Sequence, residues 1–159
     1  MTIAPGRIVG AAPQDEPFRS EEIKLDLTSL IMYAAATWDF HRYHYDGAVA
    51  ASLGFPAPFM DGQMIGALLA RQLMAWGGAD AFVRKLSFRL REMVFADDTI
   101  VITGSVKGKL IDKGRPCAVC ALSVTKADGT VVVRDASASV ELGRAGVERS
   151  AADDRATTG

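Results

Sequence analysis

The sequence predicts an α+β fold in which one antiparallel sheet wraps around a long central helix. Two observations lead to this prediction. Residues 61–76, DGQMIGALLARQLMAW, have helical composition and are apolar on nearly every face, so we expect a helix that is buried on all sides. After Gly77 and Gly78 the pattern changes to alternating, strand-like segments separated by turn sequences. A sheet that curls around the helix buries the apolar surface of both.

The elements before the central helix are shorter. EEIKLD, residues 21–26, alternates weakly and predicts a short strand. LTSLIMYAAAT, residues 27–37, is apolar and Ala-rich and predicts a helix that the hydroxyl of Thr28 or Ser29 caps. DGAVAASLGF, residues 46–55, predicts a second short helix that ends at Gly54.

Four strand-like segments follow the central helix. They are RKLSFRLRE, DDTIVITGSVKGKL, PCAVCALSVTKA and TVVVRDASASVEL, and the turns ADDT, DKGR and ADGT separate them. We expect hairpins to join all four into one antiparallel sheet. A helix followed by such a sheet is the arrangement called the hot dog fold. A single sheet layer cannot both cover the helix and protect its own edges, so we expect at least a dimer with the sheets joined edge to edge.

The predicted domain organisation is a single hot dog domain over residues 20–142. Residues 1–19 are rich in Pro, Gly and Ala and predict an irregular arm, and the small, polar residues 143–159 predict a disordered tail. The net charge of −1 gives no bulk attraction to nucleic acid or to an anionic membrane. No stretch approaches the roughly 20 apolar residues that cross a bilayer, and the start lacks a signal-peptide pattern, so we expect a cytoplasmic protein without nucleic-acid or membrane partners.

Cys117 and Cys120 form a CxxC pattern that elsewhere indicates a redox or zinc site. Here the pair lies in a predicted strand, where residues three apart face opposite sides of the sheet. A zinc site also needs further ligands, and a redox pair usually opens a helix. We therefore expect two buried, inert thiols.

The candidate chemistry lies in residues 38–64, WDFHRYHYDGAVAASLGFPAPFMDGQM. His41 and His44, with carboxylates nearby, are conceivable metal ligands, but two histidines in one short loop do not define a metal geometry, and we expect no metal. Asp39 and His44 are five residues apart across a non-periodic turn and could converge on one water as an acid–base pair. The alternative is that both side chains only cap backbone groups near the end of the preceding helix.

The start of the central helix favours the acid–base pair over the capping role. The amide of Gly62 is one of the unpaired donors at the helix N-terminus, where the helix dipole favours negative charge. Such an amide can hold a thioester oxygen as it becomes enolate-like. We expect Asp61 to be the N-cap, with a role at the substrate as the alternative. Lys85, Arg89 and Arg91 lie on one face of a predicted strand, and a basic face of this kind is usually solvated.

Residues 37–64 resemble the motif of the MaoC-like (R)-specific enoyl-CoA hydratases, and the order of elements resembles that family over residues 20–142. The family shows a D-x4-H pair, an acidic residue two positions later, an Ala-rich helix with a Gly-Phe turn and a His-Gly pair that opens the central helix. The resemblance assigns the catalytic pair to Asp39 and His44, the acidic position to Asp46 and the oxygen-binding amide to Gly62. Asp61 departs from the family because it replaces the usual histidine.

The resemblance implies a hydratase or dehydratase that adds water across the 2,3 double bond of a 2-enoyl-CoA thioester. Asp39 and His44 would bind the water, coenzyme A would be part of the substrate, and no separate cofactor is expected. The alternative to a solvated face is then that Lys85, Arg89 and Arg91 contact the phosphates of coenzyme A. A homodimer, a higher oligomer or a heteromer with a related hot dog subunit is compatible with this reading. The alternatives are a hot dog acyl-CoA thioesterase, for which Asp61 would be the carboxylate, and a non-catalytic subunit of a heteromeric hydratase. In this interpretation His41 is a bystander.

Overall fold

The computed structural model describes residues 14, 15, 17 and 21–142. Apart from those three N-terminal residues, the predicted arm lies outside the described residues, and so does the whole predicted tail. The helices are α1 Leu27–Thr37, α2 Gly47–Ser52 and α3 Gly62–Gly77, and a 3₁₀ turn, Arg42–His44, lies between α1 and α2. The strands are β1 Glu21–Lys24, β2 Phe82–Ser87, β3 Thr99–Asp112, β4 Arg115–Lys126 and β5 Val131–Glu141.

All the described strands belong to one antiparallel sheet in the order β1-β3-β4-β5-β2. The hairpins predicted between β3, β4 and β5 are confirmed. The prediction of a hairpin between β2 and β3 is wrong, because β2 crosses over to pair with β5, with Leu86 opposite Ala138. Residues 88–98 make this crossing, and Leu90 in that segment bridges to Val133. The curled sheet and the central helix together form the predicted α+β hot dog fold.

The helix α3 lies in the concave side of the sheet, and its apolar residues form the centre of the core. Ile65, Leu69 and Leu73 are completely buried in a cluster with the sheet residues Ile100, Ile102 and others. The prediction that this helix is buried on every side is wrong for the single chain. The residues Gln63, Ala67, Arg71, Met74 and Ala75 are exposed, and their spacing places them along one face of the helix.

Glycine lets α3 approach its neighbours closely. A Cβ at Gly77 would lie 2.5 Å from the Cβ of Ala81 and 3.0 Å from the Cδ2 of Leu142. A Cβ at Gly66 would lie 3.0 Å from the ring of Phe88, in the segment that crosses the sheet. Contacts this short exclude larger side chains unless the neighbours move.

The caps of the helices are aspartates. Asp26 caps α1, because its side chain accepts hydrogen bonds from the amide and the hydroxyl of Ser29. The predicted cap at Thr28 or Ser29 is therefore wrong by two or three residues. Both hydroxyl residues lie inside the helix, and Ser29 is the partner of the cap rather than the cap itself.

The predicted burial of both cysteine thiols is confirmed. Cys117 and Cys120 are free and buried. Cys120 belongs to the main core cluster, and burial raises the pKa of its thiol to about 12. A thiol in this state is a weak nucleophile at neutral pH.

The strands β1 and β2 form the two ends of the sheet order. Phe82, the first residue of β2, is more than half exposed. A second sheet can pair with an edge strand that has exposed apolar residues. The edge-to-edge dimer stays a prediction, and the edge at β2 is a candidate place for it. Among the described helices, none is long and apolar enough to cross a membrane.

Candidate active site

Asp39 is positioned by the end of α1. Trp38 takes a left-handed conformation with φ of 58°, and the amides of both Trp38 and Asp39 bond to the carbonyl of Ala34. This turn reverses the chain directly after the helix. Trp38 itself is 83% exposed, and its ring contacts the ring of Phe40 edge-on, with centroids 5.8 Å apart. Its contribution is the backbone turn that directs the Asp39 carboxylate back over α1.

His44 ends the 3₁₀ turn and is one of the buried polar residues, with 7% of its surface exposed. Its Nδ1 donates to the backbone carbonyl of Phe59, at 2.7 Å. The rings of Tyr43 and Phe59 meet its ring edge-on, with centroids 4.5 and 5.2 Å away. A carbonyl can only accept, so Nδ1 carries a hydrogen, and Nε2 is the ring nitrogen free to exchange a proton.

The structure brings Asp39 and His44 together. The Oδ2 of Asp39 lies 4.0 Å from the Nε2 of His44, a separation beyond a direct hydrogen bond. The other oxygen, Oδ1, accepts hydrogen bonds from the backbone amide and from the Nδ1 of His41. The hydrogen bond from the His41 ring lowers the pKa of the Asp39 carboxyl below its usual value.

His41 is therefore not the bystander that the sequence suggested. Its exposed ring stacks on Tyr43, with centroids 5.3 Å apart, and Tyr43 stacks on Phe59 at 5.0 Å. The stack therefore connects His41, which bonds to Asp39, with Phe59, whose carbonyl bonds to His44. The sequence signal for this arrangement, an aromatic residue between two histidines, is too common to have identified it.

Asp61 caps α3, as predicted, because its Oδ1 accepts the hydrogen bond of the Gln63 amide at 2.9 Å. Its second oxygen, Oδ2, is buried and has no hydrogen-bond partner among the described residues. The same carboxylate lines a recess that also contains Asp39 and His44. In the sequence analysis, capping α3 and contacting the substrate were alternative roles for Asp61. In the structure one oxygen caps the helix, and the other is left without a partner in a carboxylate that lines the recess.

The recess lies between α1, the 3₁₀ turn and the start of α3. Its apolar lining is supplied by Leu30, Ala34 and Met64, and Tyr33 lies at the same place. Burial and the nearby carboxylates of Asp61 and Asp39 raise the pKa of the Tyr33 hydroxyl. No motif marked Tyr33, and only the helical turn of α1 brings it here.

One donor atom from each of Asp39, His44 and Asp61 lies within 4.8 Å of the other two. Two carboxylates and an imidazole are a possible ligand set for a divalent cation. The metal reading of the sequence paired His41 with His44. In the structure His41 contacts Asp39 and does not belong to this group.

Gly62 is the first residue of α3 but faces a second, more open groove. Gly62 and Arg91 lie on this groove together with Phe59 and residues 92–94. The three residues of the predicted basic face therefore do not lie together on this groove. Arg91 shares the groove of the helix N-terminus, whereas Lys85 is an exposed residue of β2 and Arg89 is an exposed residue beyond its end.

Asp46 has a structural position. Its Oδ1 caps α2 by accepting from the amides of Ala48 and Val49, and its Oδ2 pairs with Arg42 at 2.5 Å. These hydrogen bonds lower the pKa of the Asp46 carboxyl, with the bond from Arg42 as the largest cause. The carboxylate does not line the recess, so the acidic position of the motif supports the loop rather than the reacting groups.

Comparisons with known proteins show the family of this chain. Residues 9–127 match the model of the MaoC like domain family. The chain is 31% identical over 87 residues to the 3-oxo-4,17-pregnadiene-20-carboxyl-CoA hydratase beta subunit of Mycobacterium tuberculosis, which covers 54% of this chain and 67% of the relative.

Solved structures share the fold at low sequence identity. The ChsH1-ChsH2 complex of M. tuberculosis has a TM-score of 0.73 at 21% identity, covering 82% of this chain and 98% of the other. The (R)-hydratase of A. caviae involved in PHA biosynthesis has a TM-score of 0.74 at 20% identity, covering 84% and 98%. The family model covers well over half of the sequence, so this chain belongs to the MaoC-like domain family.

Proposed function

We propose that this protein is a hydratase, or in reverse a dehydratase, that acts on a 2-enoyl-CoA thioester. The observation that carries the proposal is the 4.0 Å separation of Asp39 Oδ2 and His44 Nε2 in a recess with apolar walls. A water about 2.8 Å from each of these two atoms would form a hydrogen bond to both.

The two side chains then have complementary proton-transfer positions. One of Asp39 Oδ2 and His44 Nε2 takes a proton from the water as its oxygen bonds to C3 of the substrate. The other returns a proton to C2. Positioned acid–base groups of this kind contribute about 10²–10⁴-fold to a rate. The bond from His44 Nδ1 to the Phe59 carbonyl supports this role, because it holds the ring with Nε2 towards the water.

The thioester would lie at the start of α3. The amide of Gly62 has no hydrogen-bond partner among the described residues, as is usual for the first turn of a helix. It is a suitable donor to the thioester oxygen as negative charge develops there. Arg91 lies on the same groove, so it is the residue of the predicted basic face best placed to meet coenzyme A. Lys85 and Arg89 remain weaker candidates for phosphate contacts.

A thioesterase is the second candidate, and Asp61 is the observation that favours it. Its carboxylate precedes the central helix and has a free oxygen in the recess, so it could direct a water at the thioester carbon. The two reactions have different products. Hydration removes the enoyl absorbance without releasing a thiol, whereas hydrolysis releases free coenzyme A.

The decisive experiment measures turnover of a panel of 2-enoyl-CoA esters by the purified chain. Both the absorbance of the conjugated double bond and the free thiol are followed. We expect loss of absorbance without thiol release, and about a 10²–10⁴-fold loss of turnover in Asp39→Asn. Equal turnover by wild type and variant on every ester would show that the pair is not catalytic.

The assembly state is tested in the same preparation. A solved neighbour is a complex of two chains, ChsH1 and ChsH2, and a curated relative is a beta subunit, so a heteromer with a related hot dog subunit is a candidate beside the homodimer. Turnover by the chain alone that Asp39→Asn abolishes would exclude a non-catalytic subunit. Light scattering of the active preparation gives the number of chains.

A further inference from the structure

Asp39, His44 and Asp61 are each anchored through one side-chain atom, which leaves a second atom free. His41 holds Asp39 Oδ1, the Phe59 carbonyl holds His44 Nδ1, and the Gln63 amide holds Asp61 Oδ1. Asp39 Oδ2, His44 Nε2 and Asp61 Oδ2 remain for the recess. The Oδ2 of Asp61 is buried without a partner, so this oxygen lacks a donor that water or substrate must provide.

A hydrogen count shows what the third group changes. Both carboxylates and an unprotonated Nε2 are acceptors, but a water has only two hydrogens to donate. Two ionised carboxylates so close together also repel each other in a recess with apolar walls. One additional proton resolves both problems. On Nε2 it makes His44 an imidazolium that donates to the water, and the water then donates to the two carboxylates.

We propose that Asp61 is a third catalytic residue, which binds the second hydrogen of the reacting water and keeps the additional proton on His44. This assignment rests on the proposed hydration and gives each of the three residues a separate role in it. Asp39 acts as the base and His44 as the acid. Asp61 orients the water and balances the charge of the imidazolium.

The proton transfers balance. The water oxygen forms a bond to C3 while Asp39 Oδ2 takes one of its hydrogens, and the electrons of the double bond move through C2 towards the thioester oxygen. His44 Nε2 then gives its proton to C2, and the thioester carbonyl is restored. The proton on Asp39 passes to His44 and resets the site. The net change is the addition of one hydroxyl and one hydrogen to the double bond.

The groups that face His44 come from each surrounding element. α1 contributes Tyr33, the loop after it contributes Asp39, the 3₁₀ turn contributes Tyr43 and the start of α3 contributes Asp61. None of these is a Lys or an Arg. Within the described lining of the recess, the imidazole itself is therefore the group available to carry a positive charge between the two carboxylates.

The test is Asp61→Asn, because asparagine is as good an N-cap as aspartate and keeps the bond to the Gln63 amide. The matched control is Asp26→Asn, the same change at the exposed cap of α1. We expect Asp61→Asn to lower kcat by about 10²-fold, with a smaller effect on KM. Asp26→Asn should leave the kinetics unchanged.

Two results would overturn the proposal. The first is a kcat of Asp61→Asn within threefold of wild type on an ester that wild type hydrates. The second is activity that is lost on dialysis against EDTA and restored by Mn²⁺ or Zn²⁺, because the three side chains would then be the ligands of a metal.

Discussion

The Nδ1 of His44 donates to the backbone carbonyl of Phe59, which lies 15 residues further along the chain, at a distance of 2.7 Å. This bond crosses α2 and the Gly/Pro-rich turn, and it fixes which ring nitrogen faces Asp39. The proton chemistry that we propose depends on this one side-chain to main-chain contact. Substitutions of His44 can separate the effect of this hydrogen bond on stability from the effect of the imidazole on turnover.

Two variants of His44 should differ in stability but not in activity. An asparagine can place its amide nitrogen near Nδ1 and keep the bond to Phe59, whereas alanine leaves the carbonyl without a donor. We expect both variants to lose about 10²–10⁴-fold in turnover because Nε2 is gone. His44→Ala should also lose about 1–3 kcal/mol of unfolding free energy, and His44→Asn less. Denaturant titration and the enoyl absorbance assay measure the two effects.

His41 should tune the pH dependence through Asp39. Its hydrogen bond lowers the pKa of the Asp39 carboxyl, so the carboxylate that acts as base stays ionised to lower pH. In His41→Ala the pKa of the Asp39 carboxyl should rise towards its usual value, and the acidic limb of the kcat/KM profile that reports this carboxyl should move to higher pH. Turnover at neutral pH should change only a few-fold, because the carboxyl is ionised there in both proteins.

The control for His41 is His41→Asn, whose amide can still donate to the Asp39 carboxylate. This variant should keep more of the wild-type profile than His41→Ala. An acidic limb that is the same in all three proteins would show that the contact with His41 does not influence the base.

Gly77 should be the least replaceable glycine of α3. A methyl group at this position would lie 2.5 Å from the Cβ of Ala81, inside the packed core. We expect Gly77→Ala to lower the unfolding free energy by about 1–3 kcal/mol, although alanine favours helices. Gly108→Ala in β3 is the control, because nothing lies within 4 Å of the added atom. Equal stabilities of the two variants would contradict the close packing at the end of α3.

The cysteines should be unreactive in the folded protein. Both thiols are buried, and burial raises the pKa of Cys120 to about 12. We expect negligible reaction with a disulfide reagent such as DTNB at pH 8 and release of two equivalents after denaturation in guanidinium. Rapid labelling of the native protein would indicate that β4 opens readily.

Sequence patterns predicted the bounds of α1 and the three hairpin strands closely, because each is a local property of apolar spacing and turn residues. They failed where two distant segments meet. The strand β2 pairs with β5 instead of β3, since the sheet closes around α3 and not in the order of the chain. The exposed stripe of α3 was missed for a similar reason. The apolar composition of a helix predicts that its faces are covered, but it does not say whether the same chain or another chain covers them.

The sequence by itself determined the central helix, the aspartate cap at Asp61, and the spacing that brings Asp39 near His44. These features follow from a few neighbouring residues and the geometry of a single turn. Only the tertiary structure decided that His41 holds Asp39, that Phe59 orients His44 and that the free oxygen of Asp61 enters the same recess. The physical reason is that α1, the 3₁₀ turn and α3 are brought together by burial of apolar surface, which is not directional and does not indicate which polar groups will meet at its edge.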